Sequence, residues 1–208
     1  MSLILLLAAF IAGSIPFSWL LVRILKGIDL RTVGSGNPGA TNAIRVVGPC
    51  WGGLAMALDV GKGLFAGACL PLLVQDPPGW LPALCGCMAI LGNVFSPFLK
   101  FRGGKAVATA GGVFFGLSPR ATLLVAILFF TLLKITRKTS IASLSCALIL
   151  PLAISVEACL AIGDHPNRWV VMLVWAAAGI VTLRHRENIS RLLAGRESTI
   201  TPTEKVQP

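Results

Sequence analysis

Residues Ala106–Leu133 read AVATAGGVFFGLSPRATLLVAILFFTLL, and whether this stretch makes one helix or two decides how the whole chain is threaded. It is long enough to cross a bilayer once, which takes about 20 apolar residues. It also holds a natural breakpoint at Gly116-Leu117-Ser118-Pro119-Arg120. Around it lie five other apolar runs: Leu3–Leu25, Trp51–Val74, Trp80–Leu99, Ile141–Leu160 and the shorter Trp169–Leu183, with Arg168 and Trp169 as interfacial anchors. Lysine and arginine concentrate on the cytoplasmic side of a membrane, so their placement chooses between the two threadings. Two short helices, seven in all with the N-terminus outside, put 15 basic residues on the cytoplasmic side and only Arg120 and Arg168 outside, with Lys62 inside a helix. A single helix would leave eight on each side and bury Arg120. The pattern therefore predicts an all-α integral membrane protein of seven transmembrane helices, its C-terminus cytoplasmic.

Composition agrees with a membrane solvent. The 208 residues are 55% hydrophobic and 12% charged, with mean hydropathy +0.83; a soluble domain carries roughly twice that charged share. The net charge of +10 follows from topology and a position beside anionic lipid, not from nucleic acid binding. Asp76, Glu157 and Asp164 are expected in external loops. No basic region precedes the first apolar run, whose charges Arg23 and Lys26 follow it, so that run reads as a retained helix and not a cleaved leader. Residues 1–197 read as one domain, and 198–208 as a polar tail expected to be disordered. The six cysteines have no zinc-type spacing and read as small apolar residues.

Three segments on the predicted cytoplasmic side carry the unusual chemistry. The first, Gly34–Asn42, reads GSGNPGATN and is followed by Arg45. Glycines tolerate the positive φ of a backbone nest that cups an anion. Gly34, Gly36 and Gly39 match G-x-G-x-x-G, but the run follows a membrane helix where a dinucleotide site needs a preceding strand, so that reading is rejected. What remains is a tight loop in which Ser35, Asn37, Thr41 and Asn42 offer hydrogen bonds and Arg45 a forked cation for phosphate.

The second segment, Gly92–Gly112, brings Gly103-Gly104-Lys105 to the start of a helix. Free N–H groups and the positive dipole end there suit an anion, with Lys105 adding a point charge. Its later glycines also suit close helix packing. The third, Arg184–Glu197, reads RHRENISRLLAGRE; as a helix it puts His185, Asn188 and Leu192 on one face, beside a stripe of Arg184, Asn188 and Arg191. An amphipathic surface helix would read the same way. Asp59 and Lys62, three apart within a span, can pair or line a polar cavity.

No H-x-x-x-x-D box, nucleophile elbow or paired acidic loop occurs, so the donor substrate must be reactive on its own.

Together the three segments resemble the motifs of the bacterial acyl-phosphate:glycerol-3-phosphate acyltransferases, the PlsY family, in order and spacing over essentially the whole chain. The resemblance implies a multi-pass protein of the bacterial cytoplasmic (inner) membrane with its site facing the cytoplasm. It implies acyl transfer from acyl phosphate to the 1-hydroxyl of glycerol 3-phosphate, in contact with membrane lipid, with no metal, coenzyme A or other cofactor. Position by position it points to Ser35, Arg45, Lys105, His185 and Asn188, with Gly34, Gly36, Asn37, Thr41, Asn42, Gly103 and Gly104 around the substrates. Two positions depart from the pattern: Asn93 stands where the family usually has histidine, and Ala106 where it often has glycine. An organic-phosphate transporter, a non-catalytic lipid-binding protein and an acyl-CoA-dependent enzyme are the competing classes.

Overall fold

The computed structural model describes residues 1–161 and 165–200; Asp164 and the tail residues 201–208 lie outside the described residues. Among the described residues every regular element is helical. The chain runs α1 (Ser2–Ser14), α2 (Phe17–Lys26), α3 (Ala40–Leu64), α4 (Leu81–Val94), α5 (Val107–Leu117), α6 (Pro119–Thr136), α7 (Thr139–Cys159), α8 (Arg168–Arg184) and α9 (Arg186–Leu193).

The stretch Ala106–Leu133 divides as its breakpoint suggests. Pro119 cannot continue a helix but starts one well, so α5 ends at Leu117, Ser118 leaves the helical conformation at φ −154, ψ 74, and α6 begins. The first apolar run is also broken, because Pro16 holds Ile15 extended (φ −61, ψ 117) between α1 and α2. Helix α3 starts earlier than its apolar run, at Ala40, and kinks where Gly48 takes φ 83 ahead of Pro49. It continues through a π turn (Phe65–Cys69) and a 3₁₀ turn (Leu70–Leu73). Among the described residues, five segments are long and apolar enough to cross a membrane: Ser2–Lys26, Ala40–Leu73, Leu81–Leu99, Pro119–Thr136 and Thr139–Cys159. Helix α5 is apolar but has only 11 residues, and α8 has 17.

Helix pairs meet through glycine. A Cβ on Gly112 of α5 would lie 1.9 Å from the Val60 carbonyl oxygen, and one on Gly63 of α3 would lie 2.0 Å from that of Thr109. Small residues let backbones approach this closely where burial alone gives helices little reason to associate. Gly112 therefore serves packing. Leu81, Ile90, Val113, Phe114, Ile154 and Val174 fill the interior, while Leu3, Leu124, Ile127, Leu148 and Met172 face outward. Glu157 does not lie in an external loop. It is buried in α7 and accepts a hydrogen bond from Ser118 at the α5–α6 break, which satisfies a carboxylate drawn into the bundle.

Candidate active site

The first glycine-rich segment is only half a loop. Gly34 and Gly36 take φ +58 and +69, and α3 begins at Ala40, so Thr41, Asn42 and Arg45 stand on its opening turns. Asn42 is 1% exposed, and its amide holds the loop shut. Its Nδ2 donates to the carbonyls of Leu30 and Val33 at 2.9 Å each, and its Oδ1 accepts from the Ser35 N–H at 3.0 Å. Both amide donors of Asn42 are thus spent on the protein, and the side chain shapes the loop. A Cβ on Gly34 would lie 2.3 Å from that same Oδ1. Asn37 Oδ1 accepts from the Gly39 N–H at 3.0 Å and shapes the entry to α3.

The second segment also differs from expectation. Helix α5 starts at Val107, after Ala106 in the left-handed conformation at φ 59. Gly103 and Gly104 double back on the end of α4, where their N–H groups donate to the carbonyls of Val94 and Asn93 at 3.1 Å. Those donors are therefore engaged and cannot cradle a phosphate. The glycines are needed for the close approach: a Cβ on Gly103 would lie 2.0 Å from Asn93 O. Arg184 donates from the other side to Gly103 O at 2.9 Å and Gly104 O at 3.4 Å.

The third segment folds over these two. His185 sits between α8 and α9, 3% exposed, and its Nδ1 lies 2.7 Å from the Val181 carbonyl. A carbonyl only accepts, so Nδ1 carries the proton and Nε2 is left as an acceptor. Lys105 Nζ donates to Asn188 Oδ1. Asn188 Nδ2 donates to Glu197 Oε1 at 2.6 Å, and Arg191 Nε to Glu197 Oε2 at 2.8 Å. Arg45 reaches the residues that follow Glu197, donating to Thr199 O at 3.0 Å and to Ser198 Oγ at 3.4 Å.

Burial, followed by repulsion from Arg191, lowers the Lys105 ammonium to about 8. Burial and then the Lys105 charge push His185 down to about 4, so its ring is neutral near pH 7. Burial opposes ionisation of Glu197, yet the hydrogen bonds from Asn188 and Arg191 outweigh it and hold the carboxyl below its usual value.

These groups line one cavity of about 290 Å³. Its polar end holds Ser35, Asn37, Thr41, Asn42, Arg45 and Gly104 together with Lys105, His185 and Asn188. Gly34, Gly36 and Gly103 do not line it and act through backbone shape. The cavity continues between α6, α7 and α8 past Val125, Phe129, Ala147, Leu150 and Val174. Sequence reasoning passed over Glu197, although it closes the third segment and carries a charge opposite to that segment's arginines. It also missed Arg184 as a clamp on the second segment. Among the described residues no group of three or more His, Cys, Asp or Glu side chains is placed to hold a metal ion.

Comparison with known proteins bears on what this arrangement does. Residues 3–195 match the family model described as glycerol-3-phosphate acyltransferase. The chain is 41% identical over 201 residues to a glycerol-3-phosphate acyltransferase of Geotalea daltonii, covering 94% of this chain and 96% of the relative. It is 40% identical over 192 residues to one of Leptospira borgpetersenii, covering 89% and 85%. Among solved structures it resembles PlsY, an integral membrane glycerol 3-phosphate acyltransferase, in its glycerol 3-phosphate form. The TM-score is 0.85 at 35% identity, over 95% of this chain and 94% of that one. The lysophosphatidic acid form of PlsY gives 0.83 at 33% identity, with the same coverage.

Proposed function

This chain belongs to the glycerol-3-phosphate acyltransferase family, and from that premise we propose that it transfers an acyl group from acyl phosphate to the 1-hydroxyl of glycerol 3-phosphate. The observation that carries the reading is the continuity of one cavity from a cationic end, with Lys105 and Arg45, to an apolar groove between α6, α7 and α8. A ligand with a phosphate at one end and a hydrocarbon chain at the other fits that gradient.

The hydroxyl oxygen attacks the acyl carbonyl directly. The new ester bond forms, the carbonyl-to-phosphate bond breaks, and inorganic phosphate leaves with lysophosphatidic acid as the other product. Arg45 and Lys105 hold phosphate; the Ser35 hydroxyl and loop N–H groups stabilise charge developing on the carbonyl oxygen. Neutral His185 accepts from the attacking hydroxyl through Nε2, and Asn188 fixes Lys105 beside it. A ring that protonates only near pH 4 is a weak base, so the proton passes to a phosphate oxygen of the donor. No covalent enzyme intermediate is needed, because an acyl phosphate already carries a good leaving group.

The basic residues favour seven spans with the N-terminus outside and the site on the cytoplasmic face; the resemblance to PlsY adds that the membrane is the bacterial inner one. The deciding experiment measures phosphate release from palmitoyl phosphate with and without glycerol 3-phosphate, beside a palmitoyl-CoA control. Release that requires the acceptor, with no turnover of the CoA ester, supports the proposal. Turnover of palmitoyl-CoA would reassign the donor, and no turnover of either by folded protein that binds glycerol 3-phosphate would point to transport.

A further inference from the structure

We propose that Lys62, paired with Asp59 inside α3, is a positioning residue for Lys105 and acts through Asn93; the inference rests on the acyltransferase reading above. The Lys62 ammonium is fully engaged. Its Nζ lies 2.7 Å from Asp59 Oδ1 and donates to the Ile15 carbonyl at 2.7 Å and to Asn93 Oδ1 at 2.9 Å. The second Asp59 oxygen accepts from Ser18 Oγ at 2.7 Å. The Lys62 side chain is 3% exposed. A charge withdrawn this far from water persists only where its partners are complete, so the group tolerates little displacement.

Asn93 converts that rigidity into the shape of the site. Its side-chain oxygen faces Lys62, while its main-chain carbonyl accepts from the Gly104 N–H at 3.1 Å and the neighbouring Val94 carbonyl accepts from Gly103. The approach at Gly103 leaves no room for a Cβ, and Lys105 is the next residue after Gly104. A shift of Asn93 therefore passes to Lys105 through a single peptide unit. An amide suits this place because its oxygen accepts from the ammonium without carrying charge.

The test is kcat and KM for Lys62→Met, alone and combined with Lys105→Ala, with a thermal melt of each variant. Lys62→Met should lower kcat/KM by about 10- to 100-fold, the scale expected when a reacting group is misplaced by an ångström or less. In the Lys105→Ala background the further loss should be below about 3-fold, since a residue that works through Lys105 has nothing left to position. Should Lys62→Met not fold, Lys62→Met with Asp59→Leu removes the stranded carboxylate and should restore the melt but not the activity. Losses that multiply in the Lys105→Ala background would overturn the inference, as would full activity in the Met/Leu variant. Lys105→Ala at wild-type activity would overturn the site assignment itself, and this inference with it.

Discussion

Lys105 and Asn188, 83 residues apart in sequence, are joined by a hydrogen bond from the lysine ammonium to the asparagine amide oxygen. That bond ties the segment entering α5 to α9, and the cavity's polar end closes around it. Lys105→Ala should lower kcat/KM about 30- to 1000-fold, the loss of roughly 2–4 kcal/mol of transition-state stabilisation. Arg45→Ala should fall in the same range. Acyl transfer assays at matched protein levels decide it; near-wild-type turnover in either variant would remove that cation from the site.

Lys105 also sets an alkaline limit. With its ammonium titrating at about 8, it is mostly charged at pH 7 and loses its proton as pH rises through that value. A phosphate dianion binds the protonated form better, so KM for the phosphate substrate should climb above about pH 8. Lys105→Arg should abolish that climb because guanidinium keeps its charge. A KM that stays flat well above that pH in the wild type would contradict the assignment.

His185 makes an acid-side prediction with the opposite origin. Its folded-state value, about 4, lies below the ordinary 6.5, so the unfolded chain binds more protons between the two. Stability should therefore fall as pH drops from about 6.5 towards 4, and His185→Gln should flatten that fall. If instead kcat shows an acid limb near 6.5 that vanishes in His185→Ala with binding intact, the imidazole is the base and the proton route proposed above is wrong.

Asn42 should prove a stability residue. Asn42→Ala strands the carbonyls of Leu30 and Val33 and the Ser35 N–H, at a cost of roughly 1–3 kcal/mol for a buried unpaired group. The melt should fall, and activity should fall with it because Ser35 loses its anchor. Thr41→Val is the control: Thr41 lines the cavity beside Asn42 without holding the loop, so the melt should stay unchanged. An Asn42→Ala melt equal to wild type would show that the loop closes without this amide.

Much of this was legible in the chain itself. Pro119 marked the division between α5 and α6, because proline lacks the N–H a helix interior requires. The three polar segments announced themselves by glycine, amide and arginine in a hydrocarbon sequence, and Ser35, Arg45, Lys105, His185 and Asn188 do share one cavity. What spacing could not reveal is which donors remain free. Gly103 and Gly104 look like phosphate ligands until α4 takes their N–H groups, and the Asn42 amide looks free to donate until Leu30 and Val33 take it. Glu197 gains meaning only when the turn after α9 carries it to Arg191 and Asn188, and Lys62 only when α4 brings Asn93 to it. Local sequence determines which groups can hydrogen-bond and where a helix must stop. Tertiary structure decides which partners arrive, because a buried polar group must be satisfied by whatever the packing brings within reach.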